Sequence, residues 1–338
     1  MATTISTSFA SIYLSAHLPE SVSIYSSAES ISVSVAVDGD EVFNSVYYPF
    51  QNQVSVRDLR TIVEDAIYNE ALDMATVTVS VGEYGGITDT ESFKVICSEY
   101  KTTEDSGDFL TASFLTTRRS ATIPKDGYVL LHYFAKAYQE YPRIATICYS
   151  PANNPNTTRD YTVNYGRIVT DRDKINIERV DYTTYSNILQ NYTGGTFIIR
   201  SVDIRIGGRR FYVFFTDEKP AEVFSFWNAF GMTETAYLFG IRNTKTEMER
   251  GEAVCGRKTH YYDQQVSVKH QVETAALSVD EGLWLNQLFT SRFVSRMLDN
   301  GSMAEVLVCD VNSEVTDNDS EWTRHQFSWR YADNDERI

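Results

Sequence analysis

No histidine, cysteine, serine or glycine in this 338-residue chain stands in a spacing that catalysis or metal binding demands. The five histidines, His17, His132, His260, His270 and His325, never form HxxxH or HExxH, so two imidazoles do not share a helix face for zinc. No GxSxG elbow occurs, and Gly207-Gly208 lacks the Lys and Ser/Thr of a phosphate-binding loop. Cys97, Cys148, Cys255 and Cys309 lie far apart with no CxxC pair, which excludes a redox couple and a disulfide framework. Three of them sit in apolar runs such as Val95-Ile96-Cys97 and are expected to be buried, in a chain made in a reducing cytoplasm. The expectation is therefore a protein with no catalytic residues, no cofactor and no enzyme activity.

Basic residues are also short, with 30 Lys and Arg against 46 Asp and Glu and a formal net charge of −16. Specific nucleic-acid binding is not expected, because it requires cations to displace the counterions around phosphate. No apolar run reaches ten residues, against roughly 20 for a membrane-spanning helix, so membrane insertion is not expected. The stretch Met1 to Ala10 has no basic residue and no apolar block, and so lacks the form of an export signal.

What is abundant is the aromatic and β-branched content that suits strands. Ile31, Val33, Val35 and Val37 alternate with small residues, Asp38-Gly39 supplies a tight turn, and an aromatic strand runs on to Pro49. Leu59, Ile62, Val63, Ala66 and Ile67 fall at helical spacing and predict a helix over about 55–71, capped by Ser55. Strands are expected at Thr76–Val81, Ser92–Cys97, Gly127–Phe134 and Arg143–Tyr149, and a second hairpin around Gly207-Gly208. Ser278 and Glu281 stand at capping-box spacing before a short helix over about 279–290. Strands at Glu305–Val311 and Arg324–Ala332 follow, and in the latter His325, Phe327, Trp329 and Tyr331 share one face. The fold class read from this pattern is mainly β, of β-sandwich-like domains with a few short covering helices. The turn-rich stretch Pro151 to Asp160 is the expected boundary between an N-terminal domain, 1–150, and a C-terminal one, 151–338.

Few residues stand out as site candidates. Asp310, Asn312 and Glu314 space oxygen ligands as a weak calcium site, but Val315 stands where an EF-hand loop needs its turn glycine. Arg205, Arg209, Arg210 and Lys219 form a basic cluster at the second hairpin, fit to meet an acidic surface of a neighbouring copy. Trp227 and Tyr262 are the aromatic interface candidates.

The run Phe226-Trp227-Asn228-Ala229-Phe230-Gly231-Met232-Thr233-Glu234-Thr235 resembles a block in tail or baseplate-type structural proteins of phages and prophages of gut bacteria, of distal-tail-like kind. Its continuation through Trp284-Leu285, Leu288-Phe289-Thr290-Ser291 and Phe327-Ser328-Trp329-Arg330-Tyr331 is similar, as is the opening with Asp38-Gly39, Tyr47-Tyr48-Pro49 and Ser55-Val56-Arg57-Asp58-Leu59. The resemblance covers most of the chain. It implies β-domains assembled into a tail tip, hub or baseplate, with homo-oligomerisation and other tail proteins as partners and the virion as final location. The alternative expectation is a carbohydrate-binding or adhesin module of tandem β-domains, which the tyrosine and tryptophan content also suits.

Overall fold

Alternation of apolar and polar residues builds most of this molecule, as the computed structural model makes plain over residues 3–83, 86–314 and 322–333. The chain is 56% strand and 14% helical, a mainly-β fold. Its buried side chains fall into three main cores along the sequence and a smaller one where the three meet.

The first core is built from β1 (Thr4–Ile5), β2 (Ile12–Leu14), β3 (Ser21–Tyr25), β4 (Ile31–Val37), β5 (Asp40–Tyr47), β6 (Gln53–Arg57), α1 (Leu59–Asn69), β7 (Ala75–Glu83) and β8 (Gly86–Ile96). Two sheets, ordered β1-β3-β6 and β2-β8-β7-β4-β5, share it. Val33, Val35, Val77 and Val79 point inward from one, and Val22, Ile24, Val54 and Val56 from the other, because successive strand residues face opposite sides. The expected hairpin is present, with Asp38 at φ 49° and Gly39 at φ 99°. Asp38 also ties the turn to β7: its carboxylate accepts from the Thr76 amide at 2.7 Å, while its own amide donates to Thr76 O at 2.8 Å. Ser55 does not cap the helix. It pairs with Ser23 inside β6, whose Val54 and Val56 continue the buried alternation, and α1 begins only after Asp58, at φ 63° with no side-chain cap. Leu59, Val63 and Ile67 then form the buried stripe.

The second core comprises α2 (Ser106–Ala112), β9 (Ser120–Pro124), β10 (Tyr128–Ala135), β11 (Tyr141–Pro151), β12 (Arg159–Ile168), β13 (Lys174–Asp181), α3 (Tyr182–Thr193), β14 (Phe197–Ile206) and β15 (Arg209–Thr216). Its sheets run β12-β11-β14-β15-β9 and β10-β13, joined in parallel only at β15–β9. The expected domain boundary is corrected here. Pro151 to Asp160 connects β11 to β12, which pair directly from Tyr141↔Ile168 to Tyr149↔Arg159. Its prolines and asparagines make consecutive turns, Asn154 donating to Pro151 O at 3.0 Å and Thr157 to Asn154 O at 3.1 Å. Buried residues from Phe114 to Val213 form one core across that position, so turn chemistry marked a hairpin and not a junction.

The third core belongs to β16 (Glu222–Trp227), β17 (Thr233–Leu238), β18 (Gly240–Cys255), β19 (Lys258–Thr274), α4 (Val279–Thr290), β20 (Val294–Met297), β21 (Met303–Glu314) and β22 (Arg324–Tyr331). It is one seven-stranded sheet, β17-β16-β20-β21-β22-β19-β18, covered by α4. The Ser278–Glu281 capping box starts that helix as expected. Trp284, Leu285 and Leu288 press onto Phe224, Phe226, Phe327 and Trp329. The shared face of β22 is thus interior: His325, Phe327 and Trp329 are all buried. Residues expected as one C-terminal domain therefore divide between the second core and the third.

Two histidines are sealed within this framework. Burial holds His132 and His325 below the usual imidazole range, more than offsetting Glu234 near the first and a Gly282 backbone contact near the second. Because burial lowers both pKa values, both bind protons more readily once the chain unfolds, so their contribution is complete above about pH 6.5 and is lost as pH falls below it. Calorimetric Tm is expected to be level between pH 8 and 7 and to fall from about pH 6.5 towards 5; a level profile throughout overturns the assignment.

Candidate interaction sites

The loop after β16 is held by one amide. Asn228 Oδ1 accepts from the amides of Phe230 at 2.9 Å and Met232 at 3.0 Å, and its Nδ2 donates to Leu115 O at 2.7 Å and Glu234 Oε1 at 2.5 Å. Glu234 Oε2 in turn accepts from Trp284 Nε1 at 2.8 Å and lies 3.2 Å from Arg118 Nε. The Arg118 guanidinium lies 3.9 Å from the Trp284 ring centroid and donates to Thr235 O at 3.4 Å. Its Nε makes a charge contact with Glu234 without hydrogen-bond geometry. Burial pulls the Arg118 pKa down while Glu234 pushes it back, so the pair is a buried ion pair between the second and third cores. The run that carries the family resemblance, Phe226 to Thr235, thus packs the molecule internally.

Above this pair opens a cleft of about 450 Å³, walled by Tyr100, Phe109, Thr116, Arg119, Arg210 and Tyr212. It lies between the segment that leaves the first core and the β14–β15 hairpin of the second.

The basic cluster expected at that hairpin divides. Arg205 and Arg210 both grip Asp203, at 2.6 and 2.8 Å from its Oδ2, and Arg210 lies 4.5 Å from the Tyr212 ring centroid. Those pairs hold the Asp203 carboxyl below its usual range despite burial. Arg209 is no interface residue, a correction, because it is 1% exposed. Its position in β15 points it inward, where it donates to the carbonyls of Ser113 at 3.0 Å, Phe134 at 2.7 Å and Leu110. Alternation along β15 decides this, and the one-residue step from Arg209 to Arg210 reverses the face.

Trp227 is half-buried inside the chain, stacked at 6.2 Å on Tyr68 of α1 and 4.2 Å from Phe293. It joins the first and third cores and is not a free interface anchor, again a correction. Tyr262 stands on the exposed part of β19, with its ring over Gly251. Of the calcium candidates, Asp310 occupies a bulge at φ 49° and faces Lys269 Nζ at 3.4 Å, and Asn312 is exposed and pairs with Gln326. The Glu314 side chain and residues 315–321 lie outside the described residues. No group of three or more metal-type ligands occurs among the described residues. All four cysteines are free, but only Cys97 is buried, and Cys255 is exposed, so the expectation of buried thiols holds for one position.

The sequence pattern marks a strand at 265–274 but not the long hairpin to which it belongs. Strands β18 and β19 pair from Gly240↔Thr274 to Cys255↔Lys258, yet β19 meets β22 only at His270–Glu273. Beyond that root, about eleven residues per strand project as a two-stranded ribbon on the order of 35 Å long. Its described side chains from Ile241 to Asp263 are exposed on both faces except at Gly251. Arg242 at the root is 3.0 Å from Glu222, which also holds Arg296 at 2.6 Å, so the ribbon is fastened to the sheet. The missing signal was the turn Cys255-Gly256-Arg257-Lys258, where Gly256 has φ 67°.

No family model matches this chain, and no curated protein does. Among solved structures it is similar to the Plexin A4 full extracellular region at 8% identity and a TM-score of 0.22, over 97% of this chain and 39% of that one. The chain thus spans 39% of the length of that structure, and a likeness at this score carries no argument about fold or function.

Two substitutions test the buried charges. Glu234→Ala strands Arg118 in the interior and is expected to lower unfolding free energy by about 3–5 kcal/mol in urea titration. Arg209→Ala leaves buried carbonyls without donors and is expected to cost on the order of 3 kcal/mol in the same assay. Arg205→Ala, by contrast, is expected to leave the urea midpoint nearly unmoved, since Arg210 still holds Asp203.

Proposed function

We propose that this chain is a non-enzymatic structural protein of a tailed-phage particle, part of the tail tip, hub or baseplate, which docks on further copies and neighbouring tail proteins through the β18–β19 ribbon. Made in the host cytoplasm, it reaches its place in the virion by assembly. The ribbon is the observation that supports docking. A two-stranded hairpin is marginally stable alone in water, and this one extends far past its sheet while exposing Met248, Val254, Tyr261 and Tyr262. Such a ribbon gains stability when a partner covers it, by adding a strand or by receiving the aromatic side chains.

Charge favours the same reading. The sequence from Ile241 to Asp263 carries five Lys and Arg against four Asp and Glu, in a chain of net charge −16. Near-neutral, the ribbon is repelled less by another copy than the chain is on average. The phage assignment itself comes from the Phe226–Thr235, Trp284–Ser291 and Phe327–Tyr331 blocks. Among the described residues no helix is long and apolar enough to cross a membrane.

A trimmed variant in which Lys245 joins Lys269 through Asn-Gly keeps the paired root and removes the projection. It is expected to retain the parent's far-UV circular dichroism and to run at a lower mass than the intact chain by light scattering. It is also expected to be absent, by mass spectrometry, from particles that incorporate the parent. Equal incorporation of the trimmed chain, or absence of the intact chain from purified particles, overturns the proposal.

A further inference from the structure

We infer that the cleft between the first and second cores is a second docking site, separate from the ribbon, and that it takes a short acidic peptide segment of a partner protein. The chain carries a large acidic excess, yet the charged residues lining this cleft are all arginines: Arg118, Arg119 and Arg210. Arg118 is neutralised from beneath by Glu234. Arg210 shares the single carboxylate of Asp203 with Arg205, leaving one positive charge in surplus. Arg119 is exposed, has no ion pair among the described residues, and adds a second surplus charge at the rim.

The remaining lining selects among anions. Tyr100 and Tyr212 present aromatic surface that an inorganic phosphate or sulfate leaves uncovered. A polyhydroxylated sugar would need unengaged hydrogen-bonding groups. Thr117 Oγ1 accepts from Gln287 Nε2, and Thr116 Oγ1 from the Arg118 amide at 3.4 Å, which takes up part of the capacity of both hydroxyls. The exposed Arg119 guanidinium and the Tyr100 ring suit a carboxylate beside an apolar side chain, while the Ser113, Tyr100 and Tyr212 hydroxyls in the same lining make a sugar acid the competing ligand. Its volume of about 450 Å³ lies in the range of pockets that enclose a few side chains. The Arg210–Asp203 contact already displays this chemistry at the cleft wall, with Nε 3.0 Å from Oδ1 and the second nitrogen 2.8 Å from Oδ2.

The site is tested by fluorescence anisotropy on the full chain with a labelled, amidated peptide of alternating Glu and Phe. Its Gln/Phe counterpart, glucuronate and inorganic phosphate serve as comparison probes. The Glu/Phe peptide is expected to bind, to weaken with added salt, and to bind Arg119→Ala at least about tenfold less tightly. Arg119→Lys is expected to recover part of the loss, and Tm to stay that of the parent, since Arg119 is exposed. The ribbon-trimmed variant is expected to bind as the parent does, which separates this site from the ribbon. Binding that ignores Arg119→Ala, equal binding of the Gln/Phe peptide, or no binding overturns the inference. Displacement of the peptide by glucuronate or phosphate at lower concentration than by unlabelled peptide also overturns it, in favour of a small-anion site.

Discussion

The Arg118–Glu234 pair, with Asn228 and Trp284 around it, is the contact on which the seating of the third core against the second depends. An ion pair this deeply buried gains little net stability, because desolvation of both charges offsets their attraction. Its value here is directional. Glu234 lies on β17, Trp284 on α4 and Asn228 in the loop between β16 and β17, while Arg118 comes from the segment entering the second core. Each must be placed correctly for the others to be satisfied, so the third sheet can meet the second core in only one way. The fourth cluster, in which Leu14, Ile96, Phe134 and Phe230 meet, adds apolar area at the same junction without directional demands of its own.

Arginines bonded to buried groups recur within the cores. Arg209 binds three backbone carbonyls with no carboxylate beside it, Arg143 meets Glu178 inside the second core, and Arg296 meets Glu222 inside the third. In a chain of net charge −16, the cleft rim at Arg119 and the near-neutral ribbon are both less acidic than the chain as a whole, which gives both docking proposals a common electrostatic origin.

Local chemistry was legible wherever it was self-sufficient. Asp38-Gly39 and Gly207-Gly208 make their turns, and Ser278 with Glu281 makes its capping box, since each requires only residues a few positions apart. Helix α3 escaped notice although its signals were present: Asp181 caps the Thr184 amide at 2.8 Å, and Gly194 ends the helix at φ 62°. Ser55 misled because a residue able to cap a helix is equally able to sit in a strand, and the inward alternation of Val54 and Val56 took precedence. Pro151 to Asp160 misled for a related reason. A turn-rich stretch has the same composition whether it separates two domains or two strands of one sheet, and only the long-range pairing of β11 with β12 distinguishes them.

The site candidates divide along the same line. Residue type alone marked the arginines at the second hairpin and the aromatics Trp227 and Tyr262, but strand parity turned Arg209 inward and Arg210 outward, and α1 closed over Trp227. From its own local patterns the sequence determined the β-class, the principal hairpins and the capped helix α4, because periodicity and turn chemistry act over a few residues. Tertiary structure alone decided which charges were buried, which segments formed the cleft, and that β18 and β19 ran on past their sheet. Those outcomes depend on partners tens of positions apart or more, as with Arg296 and Glu222 at a separation of 74 residues and Arg118 and Thr235 at 117, and no local pattern encodes them.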